Sequence, residues 1–356
     1  FGMAVSTAMI FGLVSLMFLD TSINMAMQPF KMMVGDMVNE KQKGLAYSIQ
    51  SFLCNAGSLV GFLFPFIFTW IGISNIAPQG VVPDSVIYSF YIGAAILILC
   101  VIYTTVKVKE MPPAEYAEYH GITEEEEKEK INMVKLLIKA PKAFWTVGLV
   151  QFFCWFAFMF MWTYTNGSVA ANVFDAPTVE TAVNGVSKVM LDTKSIQYQD
   201  AADWVGVLFA VQAIGSVLWA VCIPLFKDRK LIYSLSLVLG GLGFISTYFV
   251  HNQYVLFISF LLIGCAWAAM LALPFTILTN ALSGGHMGTY LGLFNGTICI
   301  PQIVAASLGG SILALFTPKG MLPPEINMLV MAGVMLIIGA VCVYLIKETK
   351  GEQTKA

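Results

Sequence analysis

Long apolar runs separated by short charged connections decide which solvent this chain folds in. Runs near 1–34, 45–73, 85–107, 143–166, 204–226, 231–250, 254–280, 288–316 and 326–346 are each long enough to cross roughly 30 Å of hydrocarbon, which takes about 20 residues of helix. Within that layer each backbone amide must find its partner in its own segment. The runs therefore predict an all-α polytopic membrane protein with nine transmembrane helices. Composition agrees: 58% of the 356 residues are hydrophobic and only 11% charged, where a soluble domain carries about 25% charged residues. Nineteen Lys and Arg against 21 Asp and Glu leave no positive surplus to follow a phosphate backbone, so nucleic acid is excluded as a partner. The seven cysteines lie in apolar stretches with no CxxC spacing and read as inert small hydrophobes, with no metal expected. A start at Phe1 without a basic leader predicts a fragment rather than a signal peptide.

Basic residues orient the runs, because Lys and Arg are retained on the cytoplasmic side of short loops. Lys41, Lys43, the seven lysines from Lys107 to Lys142, Lys227, Arg229, Lys230, Lys347, Lys350 and Lys355 all fall on one side, whereas the opposite loops hold only Lys188, Lys194 and Lys319. The C-terminus is accordingly expected in the cytoplasm and residue 1 outside. The charged, proline-punctuated stretch 108–142 divides three runs from six. The expected organisation is thus 1–107 as the remainder of an N-terminal bundle, 108–142 as a cytoplasmic linker, 143–347 as a six-helix C-terminal bundle and 348–356 as a tail. His120 and the run Glu124 to Lys130 belong to that solvated linker.

An internal repeat supports the division. PFKMMVGDMVNEKQKGLAYSIQSF from 29 aligns with PFTILTNALSGGHMGTYLGLFNG from 274, placing Pro29-Phe30 over Pro274-Phe275 and, after one gap, Gly44 over Gly288. The first run then corresponds to the seventh, which is fourth in its own half, so the first three of twelve helices are expected to be missing. Two six-helix halves with both termini inside is the architecture of the major facilitator superfamily.

Ionisable residues inside a span are costly and tend to mark function. Asp20 lies near the middle of the first run, Lys31 follows eleven residues later, and Asp36 sits at the cytoplasmic end. Eleven residues return to within about 20° of the starting direction, so Asp20, Asn24 and Lys31 share one helical face. Asp20 either exchanges a proton during transport or bonds to a neighbouring helix as packing; Lys31 either takes part or reaches the inner interface. The repeat maps these positions onto Cys265 and Thr276, which carry no charge, so coupling is expected in the first half alone. Asp36, and Asp228 with Arg229 in the second half, read as structural gate elements at helix ends.

A pyranose presents hydroxyls at its edge and an apolar C–H face, so its site combines amides with aromatic rings. Gln151, Trp155, Phe158 and Trp162 follow at i, i+4, i+7 and i+11, one face of the fourth run. A lipid-facing aromatic row is the competing reading. Asn295 and Gln302 share a face of the eighth run, with Pro301 freeing a backbone carbonyl. Gln50, Asn55 and Gln212 are further candidates, and interhelical hydrogen bonding competes for each of them. Gly240-Gly241 and Gly309-Gly310 read as close-packing sites.

LDTSINMAMQPFKMMVGDM resembles the fourth helix of the sucrose transporters of plants and their animal and bacterial relatives, the solute carrier family 45 group. QFFCWFAFMFMWTYT and LALPFTIL followed by GTYLGLFNGTICIPQIVAA are similar to that group's seventh, tenth and eleventh helices. The resemblance implies a monomeric secondary active transporter that imports a disaccharide or glucoside of the sucrose or maltose type by alternating access. Its coupling ion is a proton and it needs no cofactor. Asp20 would be the coupling carboxylate, and Lys31 stands where the family has arginine, a departure, since lysine offers a point charge and not a planar fork. Asn24, Gln50, Gln151, Trp155, Trp162, Asn295 and Gln302 are the substrate-binding candidates. The bacterial character of the motifs points to an inner plasma membrane, with sugar and lipid as partners. A sodium- or other cation-coupled glycoside symporter and a non-transporting sugar sensor of the same fold are the alternatives. No HExxH, GxSxG or clustered His and Asp supports an enzyme.

Overall fold

The computed structural model describes residues 9–73, 84–109, 112, 115, 133–183, 186–282, 287–318 and 320–346. The elements in chain order are α1 (Met9–Met37), α2 (Glu40–Trp70), α3 (Asp84–Lys107), α4 (Met133–Ile138), α5 (Lys142–Asn172), β1 (Thr178–Val183), β2 (Val186–Leu191), α6 (Ile196–Cys222), α7 (Arg229–Ser246), α8 (Leu256–Ala281), α9 (Met287–Phe294), α10 (Gly296–Phe316) and α11 (Ile326–Cys342). Short 3₁₀ turns, Ile223–Leu225 and Val343–Leu345, extend α6 and α11. Among the described residues eight spans are long and apolar enough to cross a membrane: seven lie on α1, α3, α5, α6, α7, α8 and α11, and one runs across α9 and α10. The run expected at 45–73 folds as the 31-residue helix α2 but is not among those eight; Gln50, Ser51 and Asn55 interrupt its apolar sequence.

Some local expectations need refinement. The connection after the fourth run is not wholly a loop: α5 continues to Asn172, and β1 and β2 then pair antiparallel, Thr178 opposite Leu191 and Val183 opposite Val186, a short two-stranded sheet within an all-helical membrane fold. Alternating Val residues in both strands account for it, since β-branched side chains fit a pleated surface. Lys41 and Lys43 do not occupy a loop either, because α2 starts at Glu40 and only Val38 and Asn39 separate it from α1. The eighth run is helical as α9 and α10, and the single residue between them, Asn295, keeps i→i−4 backbone bonds on both sides, its amide to the Leu291 carbonyl at 3.3 Å and its carbonyl from the Cys299 amide at 3.1 Å. The charge run Glu124 to Lys130, His120 and the tail 348–356 lie outside the described residues.

The chain divides into two compact units, residues 1–39 with 57–130, and residues 40–56 with 131–356. In the first, Phe68 of α2 meets Tyr88 of α3 with ring centroids 6.3 Å apart. Most side chains of α1 and α3 are exposed apolar groups such as Ile10, Phe18, Leu99 and Val106. In the second unit α5 is the hub, packed against α6, α8, α10 and α11, while α7 lies against α8 and α11. Its core is aromatic: Phe144, Phe158, Phe160, Phe244, Phe260 and Phe294 are fully buried.

Lipid tails are as apolar as leucine, so helices in a membrane associate mainly through close van der Waals fit, which small residues permit. Gly264 of α8 lies directly on the Gln212 carbonyl of α6, and Gly240 of α7 on Ala266 of α8. Gly241 of α7 and Gly333 of α11 face each other, and a Cβ on Gly333 would stand 2.6 Å from the Gly241 carbonyl oxygen. Gly309 similarly admits the Tyr164 hydroxyl, whereas Gly310 faces open space. Gly333→Ala is therefore expected to cost about 1–3 kcal/mol through overpacking and to lower the melting temperature of the detergent-solubilised protein. Gly310→Ala, with nothing within 4 Å of the added methyl, should leave it unchanged or raise it.

Candidate functional site

Pro274 sets the geometry of the second unit's polar face. It lies inside α8, and a proline has no N–H to return to the carbonyl four residues earlier, which leaves the Met270 carbonyl without its helical donor. Gln151 of α5, 1% exposed, supplies the replacement: its Nε2 donates to the Met270 oxygen at 3.0 Å. Ser51 of α2 adds a second tie to the same helix, donating from Oγ to the Ala268 carbonyl at 3.3 Å.

One turn further along α5, Trp155 meets Trp267 of α8 edge to face, centroids 5.7 Å apart and planes at 77°. Phe158 touches the same indole at 4.8 Å, and Trp162 stands 5.7 Å from it and 6.4 Å from Trp155. Two helices thus build one aromatic wall that runs from the buried Gln151 to Trp162, which is 44% exposed. Trp267 was not legible from its own helix, whose surroundings are uniformly apolar. Its register three residues before Met270 would have exposed it once Pro274 was matched to Gln151.

Two polar atoms on this wall are buried without a hydrogen-bond partner, Gln151 Oε1 and Trp155 Nε1, and the Tyr233 hydroxyl of α7, buried and unpartnered as well, lies within reach of the Gln151 side chain. By contrast Trp204 donates to the Gln253 carbonyl at 3.2 Å and Trp219 to Ser236 Oγ at 2.8 Å. A buried donor or acceptor left alone costs about 1–3 kcal/mol. An acceptor and a donor one helical turn apart are what a ligand hydroxyl, itself donor and acceptor, can satisfy. Asn295 Oδ1 and Asn55 Oδ1 are orphaned in the same way.

The remaining candidates are placed as follows. Asn295 stands between α9 and α10 in helical backbone conformation, its Nδ2 3.8 Å from Cys299 Sγ, and Gln302 lies seven residues further along α10. Gly148 of α5 lets Thr297 approach, bringing the start of α10 against the turn that precedes Gln151. Asn55 is buried, with Nδ2 donating to the Ser51 carbonyl at 2.6 Å, and Gln50 on the same helix is half-buried. Gln212 is buried on α6 beneath Gly264.

In the first unit Asp20 is exposed on α1. Asn24 shares its face, but its Nδ2 donates to the Asp20 backbone carbonyl at 2.9 Å. Lys31 is half-buried two residues beyond Pro29, which lies inside α1 as Pro274 lies inside α8. Asp36 belongs to α1, and its side chain lies outside the described residues. Asp228 caps α7, its Oδ1 accepting from the amides of Lys230 at 2.9 Å and Leu231 at 3.0 Å, while the Arg229 guanidinium lies near Gly44. Among the described residues no group of His, Cys, Asp and Glu is arranged to hold a metal ion.

The pairing of Gln151 with the carbonyl freed by Pro274 generates a double-mutant test. Gln151→Met should destabilise the detergent-solubilised protein by about 1–3 kcal/mol, the cost of an orphaned carbonyl. In a Pro274→Ala background, where the backbone regains its helical N–H at that position, the same substitution should cost clearly less. Equal costs in both backgrounds would show that Gln151 does not serve that carbonyl.

Comparison with known proteins bears on the whole chain. The sequence profile of the Major Facilitator Superfamily matches residues 1–191 and 173–356. No curated protein matches. Among solved structures the chain is similar to the fucose:proton symporter FucP of E. coli, with a TM-score of 0.63 and 14% identity over 96% of this chain and 78% of that one. At that identity the likeness concerns the fold. Family and fold are those of a multi-pass membrane transporter and not of an enzyme, and the chain belongs to the Major Facilitator Superfamily.

Proposed function

We propose that this protein is a proton-coupled importer of a disaccharide or glucoside of the sucrose or maltose type, working by alternating access in a bacterial inner membrane with its C-terminus in the cytoplasm. The observation that carries the reading is the pair of unsatisfied buried atoms, Gln151 Oε1 and Trp155 Nε1, at the foot of a wall of three tryptophans. A sugar supplies hydroxyls to both atoms and an apolar C–H face to the rings. Gln151, Trp155, Trp162 and Asn295, with Trp267 added, are its contacts in the second unit; Asn24, Gln50 and Gln302 are the outlying candidates. Asp20 is the proton acceptor and Lys31 its electrostatic counterpart on the same helical face. The similarity to a protein described as a fucose:proton symporter is in keeping with both sugar and proton. The lopsided distribution of basic residues supports the orientation.

Uptake of labelled sucrose and maltose into proteoliposomes tests the reading. Wild-type protein is expected to accumulate sugar under an inward proton gradient. Asp20→Asn should abolish accumulation while exchange across the membrane persists. Trp155→Phe keeps the ring and removes the N–H; the lost hydrogen bond of about 1–3 kcal/mol should raise the apparent KM about 5- to 100-fold with kcat little changed. Uptake that ignores the proton gradient and follows sodium would replace the proton with a metal cation and return Asp20 to a packing role.

A further inference from the structure

Glu325 immediately precedes α11 and lies just outside its membrane-spanning segment. An acidic residue there ordinarily accepts from the free amides of the first helical turn and gains from the helix dipole. Glu325 does neither with its side chain: it has no cap hydrogen bond, and only its backbone participates, its carbonyl accepting from the Met328 amide at 2.9 Å. The carboxylate instead lies on the backbone of α5 at Gly167, in the space that a Cβ there would fill.

Nothing in that notch serves a negative charge. Thr165 and Ser168, the hydroxyls beside Gly167, donate to the Met161 and Tyr164 carbonyls of their own helix at 2.6 and 2.7 Å, and Asn172 donates to the Ser168 carbonyl at 2.8 Å. Asn166 Oδ1 is itself an acceptor without a donor. Tyr164 is the titratable group of α5 within electrostatic range of the carboxylate. Beyond the end of α7 stand Tyr248 and His251, both exposed, and beyond α10 stands Lys319, outside the described residues. Among the described residues no cation pairs with Glu325.

We infer that Glu325 is a proton-binding site at the end of the second unit that carries the β hairpin, where uptake of a proton by the carboxylate secures α11 against α5 and its loss loosens that contact. The site is separate from the sugar and Asp20 and stands or falls without them. Burial alone pushes the Glu325 carboxyl up from 4.5 to about 7. With the folded-state value above the unfolded one, the native protein binds the proton more tightly, so stability is greatest on the acid side and falls as pH rises from 4.5 to about 7.

Infrared titration of the purified protein reads the site directly. A protonated-carboxyl C=O band should be lost with a midpoint near 7 and be absent from Glu325→Gln, whose melting temperature should also lose the decline across that pH range. Gly167→Ala fills the notch and drives the carboxylate toward water, so the midpoint should move back toward 4.5. Measured in an Asp20→Asn background, a protein with no band titrating near 7, or a band whose amplitude Glu325→Gln leaves unchanged, overturns the proposal. Should the glutamine variant fail to fold, a midpoint unmoved by Gly167→Ala overturns it equally.

Discussion

The hydrogen bond from Gln151 to the Met270 carbonyl fixes the two central helices of the second unit relative to each other, and much else follows from it. A proline in a membrane helix leaves a carbonyl that water cannot reach, and a neighbouring helix has to supply the donor. Because Gln151 supplies it, α5 and α8 are held in one register. That register brings Trp155 and Phe158 to Trp267 and sets Gly148 against Thr297. An amide that looks like a ligand group in sequence is therefore half structural: its nitrogen is committed to the fold, and the buried Tyr233 hydroxyl of α7 lies within reach of the same side chain.

The second unit follows a consistent packing logic. Glycines appear where one helix crosses the backbone of another, as at Gly215 over Leu261, Gly243 over Ser259 and Gly333 over Gly241. Hydroxyls in the spans mostly return to their own helix, as Thr165, Ser236 and Thr279 do. Interhelical polar contacts are few, and one, Ser234 to the Ala340 carbonyl at 3.1 Å, joins α7 to α11. Against that background the buried atoms without a partner, Gln151 Oε1 and Trp155 Nε1 among them, stand out, because membrane interiors penalise a polar group that has not found a partner.

Sequence periodicity exposed the helices and the face shared by Gln151, Trp155 and Trp162, because a 3.6-residue repeat is a local property. It also exposed Asp228 as a helix-end residue, whose carboxylate caps α7. It missed the pairing of 178–183 with 186–191 although alternating Val residues were present, since six-residue strands are too short to stand out among long apolar runs. Trp267 escaped because nothing on α8 distinguishes it, and Glu325 because a lone carboxylate beside prolines looks like any solvated loop residue. In both cases the missing information was the identity of the facing helix.

The sequence by itself determined that this chain lives in a membrane, where most of its long helices lie, and that prolines recur at 29 and 274 in matching sequence. Those properties depend on hydrophobicity, periodicity and backbone chemistry, which each segment carries alone. Tertiary structure decided that Gln151 serves the carbonyl freed by Pro274, that Trp267 joins the aromatic wall, and that Glu325 lies on Gly167 and not on its own helix end. These outcomes depend on which helices meet and in what register. Contact between side chains more than a hundred residues apart is set by packing that no local pattern encodes.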